Sequence, residues 1–152
     1  MRQKLTQWFE VKIAYEKTNE DGLQKKVKKT YVVESLSFTE GEKSSIGEMG
    51  AYISGEFEVA DMRKAAYREV IFSDDAQDDK WYKVRAQFII LDEKTDKERF
   101  ANVNFLVQGC SLHKAVKNFV EAMGATMIDY CLVSVAKTAI VDVVEFPNFR
   151  KD

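Results

Sequence analysis

The residues that catalyse reactions or bind metals in most proteins are scarce in this sequence. His113 is the single histidine, and the two cysteines, Cys110 and Cys131, do not form a Cys-x-x-Cys pair. Zinc sites need three or four such side chains, so the sequence predicts no metal centre. His113 follows Ser111, a typical helix N-cap residue, and we expect an exposed, non-catalytic side chain. Nucleophile elbows, phosphate loops and dinucleotide fingerprints do not occur either, so we expect a non-enzymatic protein without a cofactor.

A run of acidic residues lies near the middle of the chain, at residues 73–79. It contains four aspartates: Asp74, Asp75, Asp78 and Asp79. Carboxylates are ligands for divalent cations, but this run lacks the glycine and the distal glutamate of an EF-hand loop. Because like charges keep a loop solvated and extended, we favour a solvated linker over a cation site.

The two tryptophans begin two similar segments, and cations follow each of them. If Phe9 and Val11 face the core, strand alternation places Trp8 and Lys12 on the opposite face. By the same alternation the second segment presents four outer residues: Trp81, Lys83, Arg85 and Gln87. An indole beside cations can stack on bases while the cations neutralise phosphates. The pattern therefore predicts an interface for single-stranded nucleic acid or another partner, formed by Trp8, Lys12, Lys28, Trp81, Lys83 and Arg85.

The alternative interpretation of these residues is structural. Amphipathic indoles commonly settle at half-buried edges, so each tryptophan would cover the open end of its sheet or pack at the junction between two repeats. The lysine-rich segment at residues 25–29, which contains Lys28, is likewise typical of a solvated hairpin arm. The sequence leaves both interpretations open.

The elements that must position these side chains occur twice in the sequence. Residues 8–12 correspond to residues 81–85 at an offset of 73, and from residue 31 onward the offset is 74. With no further gap, Val59 would match Val133. We predict an α+β fold of two tandem ββαβ(β) repeats, with mainly antiparallel sheets that each carry one helix. The repeats span residues 1–73 and 80–152, joined by an acidic linker at 74–79, and we expect one compact domain.

Helix signals are clearest in the second repeat, where apolar residues recur with helical spacing. They are Leu112, Ala115, Val116, Phe119, Val120 and Met123. Ser111 is the predicted N-cap, and Gly124 is expected to end the helix in the left-handed conformation. The first repeat has a capping box of Ser37 and Glu40, but Gly41 interrupts its apolar stripe, so we expect a shorter or more exposed helix. Each repeat closes with strands, at residues 56–72 and 129–146.

Bulk composition bounds the class of protein. The chain has 152 residues, of which 45% are hydrophobic, and its 23 basic residues are balanced by 25 acidic ones. This balance argues against non-specific duplex binding and leaves room only for a local basic patch. Apolar runs are far shorter than a membrane span, and no apolar segment follows the N-terminus, so we expect a cytoplasmic protein. Because Cys110 and Cys131 match apolar positions of the first repeat, we expect both cysteine side chains to be buried and to pack as small hydrophobic groups.

Several segments carry a resemblance to a known family. They are residues 8–12, 15–27, 34–40, 52–59, 72–75 and 79–84. In these the chain resembles an uncharacterised family of small proteins from Bacteroidetes and from their phages and mobile elements. The resemblance implies that habitat and supplies no catalytic residue.

These observations support two functional hypotheses. The first is a non-enzymatic binding protein of a phage or mobile element, with single-stranded nucleic acid as its ligand. The alternative is a protein-interaction or sequestration module that acts as a homo-oligomer, through exposed sheet edges and the tryptophan-bearing face. An enzyme acting through buried carboxylates ranks third, because the sequence offers no residue pair for it.

Overall fold

The computed structural model of the chain describes residues 6–49 and 56–145, without the side chains of residues 44–49. The chain is α+β, with the element order ββαββ occurring twice. The first set comprises β1 (Gln7–Thr18), β2 (Gln24–Ser35), α1 (Phe38–Met49), β3 (Phe57–Ala65) and β4 (Tyr67–Ile71). The second comprises β5 (Lys80–Asp92), β6 (Lys97–Gly109), α2 (Leu112–Met123), β7 (Asp129–Lys137) and β8 (Ile140–Val144).

The predicted hairpins are present. β1 pairs with β2 in an antiparallel register that runs from Gln7 opposite Ser35 to Thr18 opposite Gln24. β5 and β6 pair in the same way over their whole lengths. The apolar alternation predicted for β1 is confirmed, because Phe9, Val11 and Ile13 are all buried.

The strands form two mixed four-stranded sheets, with the orders β3-β1-β2-β8 and β4-β6-β5-β7. The central pairs are antiparallel, whereas β8 lies parallel to β2 and β4 lies parallel to β6. Each sheet therefore takes one edge strand from the other half of the chain. One compact unit comprises the residues up to Ala65 together with those from Ala139 onward, and the other comprises Ala66–Thr138. The acidic stretch at 74–79 connects β4 to β5 inside the second unit, whereas the predicted repeats meet at that stretch. We call the two assemblies unit 1 and unit 2.

Strand registers correct the predicted alignment after the helices. Val59 pairs with Ile13, and the residue that pairs in the same way with Ala86 is Leu132 rather than Val133. The offset in this part of the chain is therefore 73. Val133 is the extra residue of a β-bulge in β7, and such a residue is left out of the pairing. The tandem duplication itself stays a prediction.

The first repeat was expected to have a shorter or more exposed helix. Both helices have 12 residues, so α1 is not shorter, and the expectation of greater exposure falls partly on side chains outside the described residues. The predicted N-caps are confirmed, because the Ser37 hydroxyl accepts a hydrogen bond from the Glu40 amide and the Ser111 hydroxyl accepts one from the Lys114 amide. Gly124 was expected in the left-handed conformation but has φ of −61°. The amide of Gly124 donates a hydrogen bond to the Glu121 carbonyl, and this bond closes the last turn of α2. Neither helix of the described chain has the length and apolarity needed to cross a membrane.

Each unit has its own hydrophobic core between the helix and one face of the sheet. In unit 1 this core is built on Phe9, Val11, Ile13 and Val33. In unit 2 it includes Phe105 and Phe119, whose ring centroids lie 5.0 Å apart. The apolar stripe of α2 is only partly buried: Ala115, Phe119 and Met123 face the sheet, whereas Leu112 and Val120 are exposed.

In each unit, one glycine lies where another part of the chain approaches its Cα closely. A Cβ atom added to Gly109 would lie 2.9 Å from the backbone nitrogen of Ala115. A Cβ atom added to Gly41 would instead meet the terminal methyl of Met62, which can move, and would lie 3.5 Å from the Cβ of Ser35. A side chain at position 109 would therefore collide with rigid backbone, whereas a side chain at position 41 would meet a flexible side chain that can move.

We expect opposite outcomes for alanine at these two glycines. Gly109→Ala should lower the free energy of unfolding by about 1–3 kcal/mol, because the backbone of α2 must move. Gly41→Ala should be neutral within about 1 kcal/mol, because the better helix propensity of alanine offsets the displacement of Met62. Urea unfolding followed by circular dichroism distinguishes the two. A loss in Gly41→Ala as large as that in Gly109→Ala would contradict this explanation.

Candidate functional site

The two tryptophans predicted to lie on an exposed face are buried. The exposed fraction is 6% for Trp8 and 2% for Trp81. The Trp81 indole also makes an edge-on contact with the Phe72 ring, with 5.4 Å between centroids. Neither indole is available to stack on a base, so this part of the predicted interface is wrong.

The alternation that placed the tryptophans opposite the core was correct, but the inference of exposure was not. Trp81 does lie on the face of its sheet that points away from α2, because its neighbour Tyr82 belongs to the core under the helix. However, Leu106, which lies opposite Lys83 on that same outer face, is fully buried. Alternation assigns a side chain to a face and does not determine whether that face is open to solvent.

The four predicted cations are all exposed, but their surroundings differ between the units. In unit 1, Lys12 lies opposite Asp61 of β3. Hydrogen bonds from Arg63 lower the pKa of Asp61, and the charge of Lys12 contributes in the same direction. Lys28 lies on the same hairpin, in which the neighbouring Lys26 approaches Glu58 at 3.8 Å. Positive charge on this sheet is therefore offset by nearby carboxylates.

In unit 2 the corresponding cations have neutral neighbours. Arg85 lies opposite Asn104 of β6 and Ser134 of β7, and Lys83 lies opposite apolar residues of the same two strands. Among the residues that the structure describes, neither Lys83 nor Arg85 forms a salt bridge. The two positive charges are therefore free to attract an anion.

The same face of the unit 2 sheet carries amides and an exposed aromatic ring. Gln87 lies opposite Asn102, and their side-chain amides meet at 3.5 Å. One pair further along, Phe100 lies opposite Ile89, and Phe100 is 58% exposed. Directly opposite residues of an antiparallel pair point to the same side of the sheet. Cations, amides and an aromatic ring thus share a surface about 20 Å long. We call this surface the polar face and define it as Lys83, Arg85, Gln87, Phe100 and Asn102.

Sequence reasoning missed Phe100. A signal for it was present, because residues 100–104 alternate between residues that face the core and residues that do not. The asparagines Asn102 and Asn104 therefore mark the outer face of β6, and Phe100 continues that series. An aromatic residue in a row of outward-facing amides is the position at which a sheet can offer a stacking surface.

Part of the acidic stretch is folded rather than solvated. Asp74, Asp75 and Asp79 are exposed as expected, but Asp78 is buried, with 3% exposed. Its Oδ2 accepts hydrogen bonds from the Lys114 ammonium at 3.0 Å and from the Asn118 amide at 3.1 Å.

Further hydrogen bonds fasten this loop to α2 and β6. The Ser73 hydroxyl donates to Asp78, and the Ser73 amide donates to the Gln108 side chain at 2.8 Å. The Asn118 amide also donates to the Gln108 carbonyl at 2.8 Å. Lys114 bridges Asp78 to Asp75, which it reaches at 3.0 Å. We call Ser73, Asp75, Asp78, Lys114 and Asn118 the aspartate network.

The charges of this network are mutually stabilised. Burial acts to raise the pKa of Asp78, but hydrogen bonds from Ser73, Lys114 and Asn118 outweigh it and lower that pKa to about 2. Hydrogen bonds to Asp75 and Asp78 raise the pKa of Lys114 to about 12. The ammonium group lies where a cation would bind between the two carboxylates. Within the described parts of the chain, no group of three or more metal-ligating side chains is assembled.

The remaining candidate residues are isolated. His113 is exposed in the first turn of α2, as predicted. Cys110 and Cys131 were expected to be buried and are both exposed free thiols, so that prediction is wrong. Cys131 lies on the outer face of β7, opposite Gln87, where the apolar match to the first repeat carries no information about burial. The buried carboxylate of Glu34 accepts a hydrogen bond from the Thr6 hydroxyl at 2.8 Å.

A family model described as a domain of unknown function, DUF4494, matches residues 7–146, which is most of the chain. Comparison with the curated proteins gives no match. The chain thus belongs to the family described as domain of unknown function DUF4494.

Proposed function

We propose that the polar face of unit 2 binds single-stranded nucleic acid, in a non-enzymatic, cytoplasmic protein. The observation that carries this proposal is that Lys83 and Arg85, without acidic partners among the described residues, are exposed on the same sheet face as exposed Phe100. The resemblance noted in the sequence supports a phage or mobile-element setting for this activity.

Each group on the polar face suits one part of a nucleotide. Lys83 and Arg85 carry charges that phosphates attract, and a guanidinium can grip a phosphate with two parallel hydrogen bonds. Gln87 and Asn102 present amides, which both donate to and accept from base edges. Phe100 offers a ring on which a base can stack.

The distribution of charge favours a local site over general attraction to polyanions. The formal net charge of the chain is −2, so a long-range field that draws in nucleic acid is not expected. Lys12 and Lys26 of unit 1 lie beside carboxylates, whereas the cations of the polar face do not. Binding is therefore expected to be moderate in strength and sensitive to salt.

Fluorescence anisotropy of end-labelled single-stranded oligonucleotides at two salt concentrations tests the charge component. We expect the double variant Lys83→Glu and Arg85→Glu to lower affinity at least about tenfold. Loss of two phosphate contacts should also reduce the salt dependence, by about 1.4 in the slope of log K against log salt. The matched control is the double variant Lys12→Glu and Lys28→Glu, which makes the same charge change in unit 1 and should bind like the native chain. Absence of binding, or equal losses in both double variants, would overturn the proposal.

The alternative function, a protein-interaction module that self-associates as a homo-oligomer, is favoured by a different observation. β7 forms an exposed sheet edge without charged residues in its interior. That edge is a surface on which another strand can pair.

A further inference from the structure

The four edge strands of the two sheets differ in how they are protected from pairing with other chains. β3 carries four charged residues within its length: Glu58, Asp61, Arg63 and Lys64. β4 and β8 have only five residues each, and both include charged side chains. Short length, charge and β-bulges are the usual means by which an edge strand avoids pairing with a neighbour, and β7 has only the last of these, the bulge at Val133. β7 has nine residues, and its charged residues, Asp129 and Lys137, are at its two ends.

The interior of β7 is apolar and open to solvent. Leu132 is 39% exposed and Val133 is 53% exposed, and seven successive residues from Tyr130 to Ala136 carry no charge. β5 pairs with one side of this strand. β7 is the last strand of its sheet, and within residues 6–49 and 56–145 no strand pairs with its other side, which presents backbone amides and carbonyls.

A second copy of this chain fits the β7 edge. An open edge accepts an extended strand, because backbone hydrogen bonds supply most of the contact. β7 of another copy is such a strand, with the same length and an uncharged interior. Antiparallel pairing about a twofold axis at the bulge residue Val133 sets the regular stretch at residues 129–132 of each strand against residues 134–137 of the other, so that the Asp129 end meets the Lys137 end. Parallel pairing would bring the two acidic ends together and the two basic ends together.

We propose that two copies of the chain associate through antiparallel pairing of their β7 strands, which joins two four-stranded sheets into one sheet of eight strands. The twofold symmetry closes the assembly, because each β7 edge is used once. Apolar contact between the Leu132 and Val133 regions of the two copies adds to the backbone pairing. This inference does not depend on the proposed binding of nucleic acid.

Sedimentation equilibrium over a range of protein concentrations tests the proposal. The native chain should show a mass of about twice its 17.5 kDa. Val133→Glu should raise the dissociation constant at least about tenfold, because like charges then face each other across the pair. The matched control is Val141→Glu, which places the same charge on exposed Val141 of the edge strand β8 and should leave the dimer intact. Circular dichroism should show that both variants are folded.

Two further measurements identify the strand. The dimer of the Val133→Lys chain should also dissociate, because two positive charges then face each other. An equimolar mixture of the Val133→Glu and Val133→Lys chains should instead form heterodimers, because the two charges attract. In the native chain, the amides of β7 that point away from β5 should exchange with deuterium more slowly as protein concentration rises. A native chain that stays monomeric, a dimer that Val133→Glu leaves unchanged, or β7 amides that exchange equally at all concentrations would each overturn the proposal.

Discussion

Asp78→Ala is expected to lower the free energy of unfolding by about 2–4 kcal/mol. This is about the cost of removing one partner from a buried ion pair that has partial access to solvent. The substitution deprives the Lys114 ammonium and the Asn118 amide of an acceptor. It also releases the hydroxyl of Ser73. Lys114 keeps Asp75 as a partner, which limits the loss.

Urea unfolding followed by circular dichroism measures this effect. Asp74→Ala is the matched control, because Asp74 belongs to the same acidic stretch and is exposed, and its change should stay within about 0.5 kcal/mol. Asp78→Asn should lose less than Asp78→Ala, because the amide oxygen still accepts hydrogen bonds. Equal stability of Asp78→Ala and Asp74→Ala would show that the aspartate network does not hold the loop to α2.

The dependence on pH provides a second measure of the same network. The pKa of Asp78 is about 2 in the folded chain, against an ordinary value of 3.8. Stability from this group is therefore fully present above pH 3.8 and is lost as the pH falls from 3.8 towards 2. Lys114 acts at the other end of the scale, because its contribution is present below pH 10.5 and is lost as the pH rises towards its folded pKa of about 12. Asp78→Ala should flatten the acid part of this profile.

The sequence predicted those parts of the fold that depend on local patterns. Period-two alternation located β1 and β5, and Ser37 and Ser111 were correctly identified as helix caps because each side chain bonds a backbone amide three residues away. The pairing of β4 with β6 and of β8 with β2 was not predicted. Parallel pairs between distant segments leave no turn signal and no fixed spacing in the sequence.

Prediction of the site failed where burial depends on long-range contacts. Asp78 looked like its exposed neighbours, because the partners that bury it, Lys114 and Asn118, lie 36 and 40 positions away. Their spacing of four on one flank of α2 was visible, but an acidic partner could not be assigned to them from sequence. The prediction that the tryptophans are exposed failed for the same reason, since alternation assigned them to the correct face but gave no information about what covers it. Lys83 and Arg85 are exposed as predicted, although the cross-strand neighbours of Lys83, Leu106 and Ala136, are apolar.

Trp81 and Phe100 lie on the same face of the unit 2 sheet and should have opposite roles. Trp81→Ala is expected to lower the free energy of unfolding by about 3–5 kcal/mol, because it removes a buried indole and its edge contact with Phe72. Phe100→Ala should change stability by only about 0.5 kcal/mol, because more than half of that side chain is already in water. Thermal or urea unfolding measures both values.

Binding should show the reverse order. Phe100→Ala should weaken oligonucleotide binding by about 1–3 kcal/mol, the usual contribution of one base stacked on an aromatic ring. Trp81→Phe, which keeps an aromatic ring in the buried site, should bind like the native chain. Ile90→Ala serves as the control for Phe100→Ala, because Ile90 is also exposed but faces the other side of β5. If Trp81→Phe weakened binding more than Phe100→Ala in folded protein, the indole rather than Phe100 would be the stacking group, and the polar face would be placed wrongly.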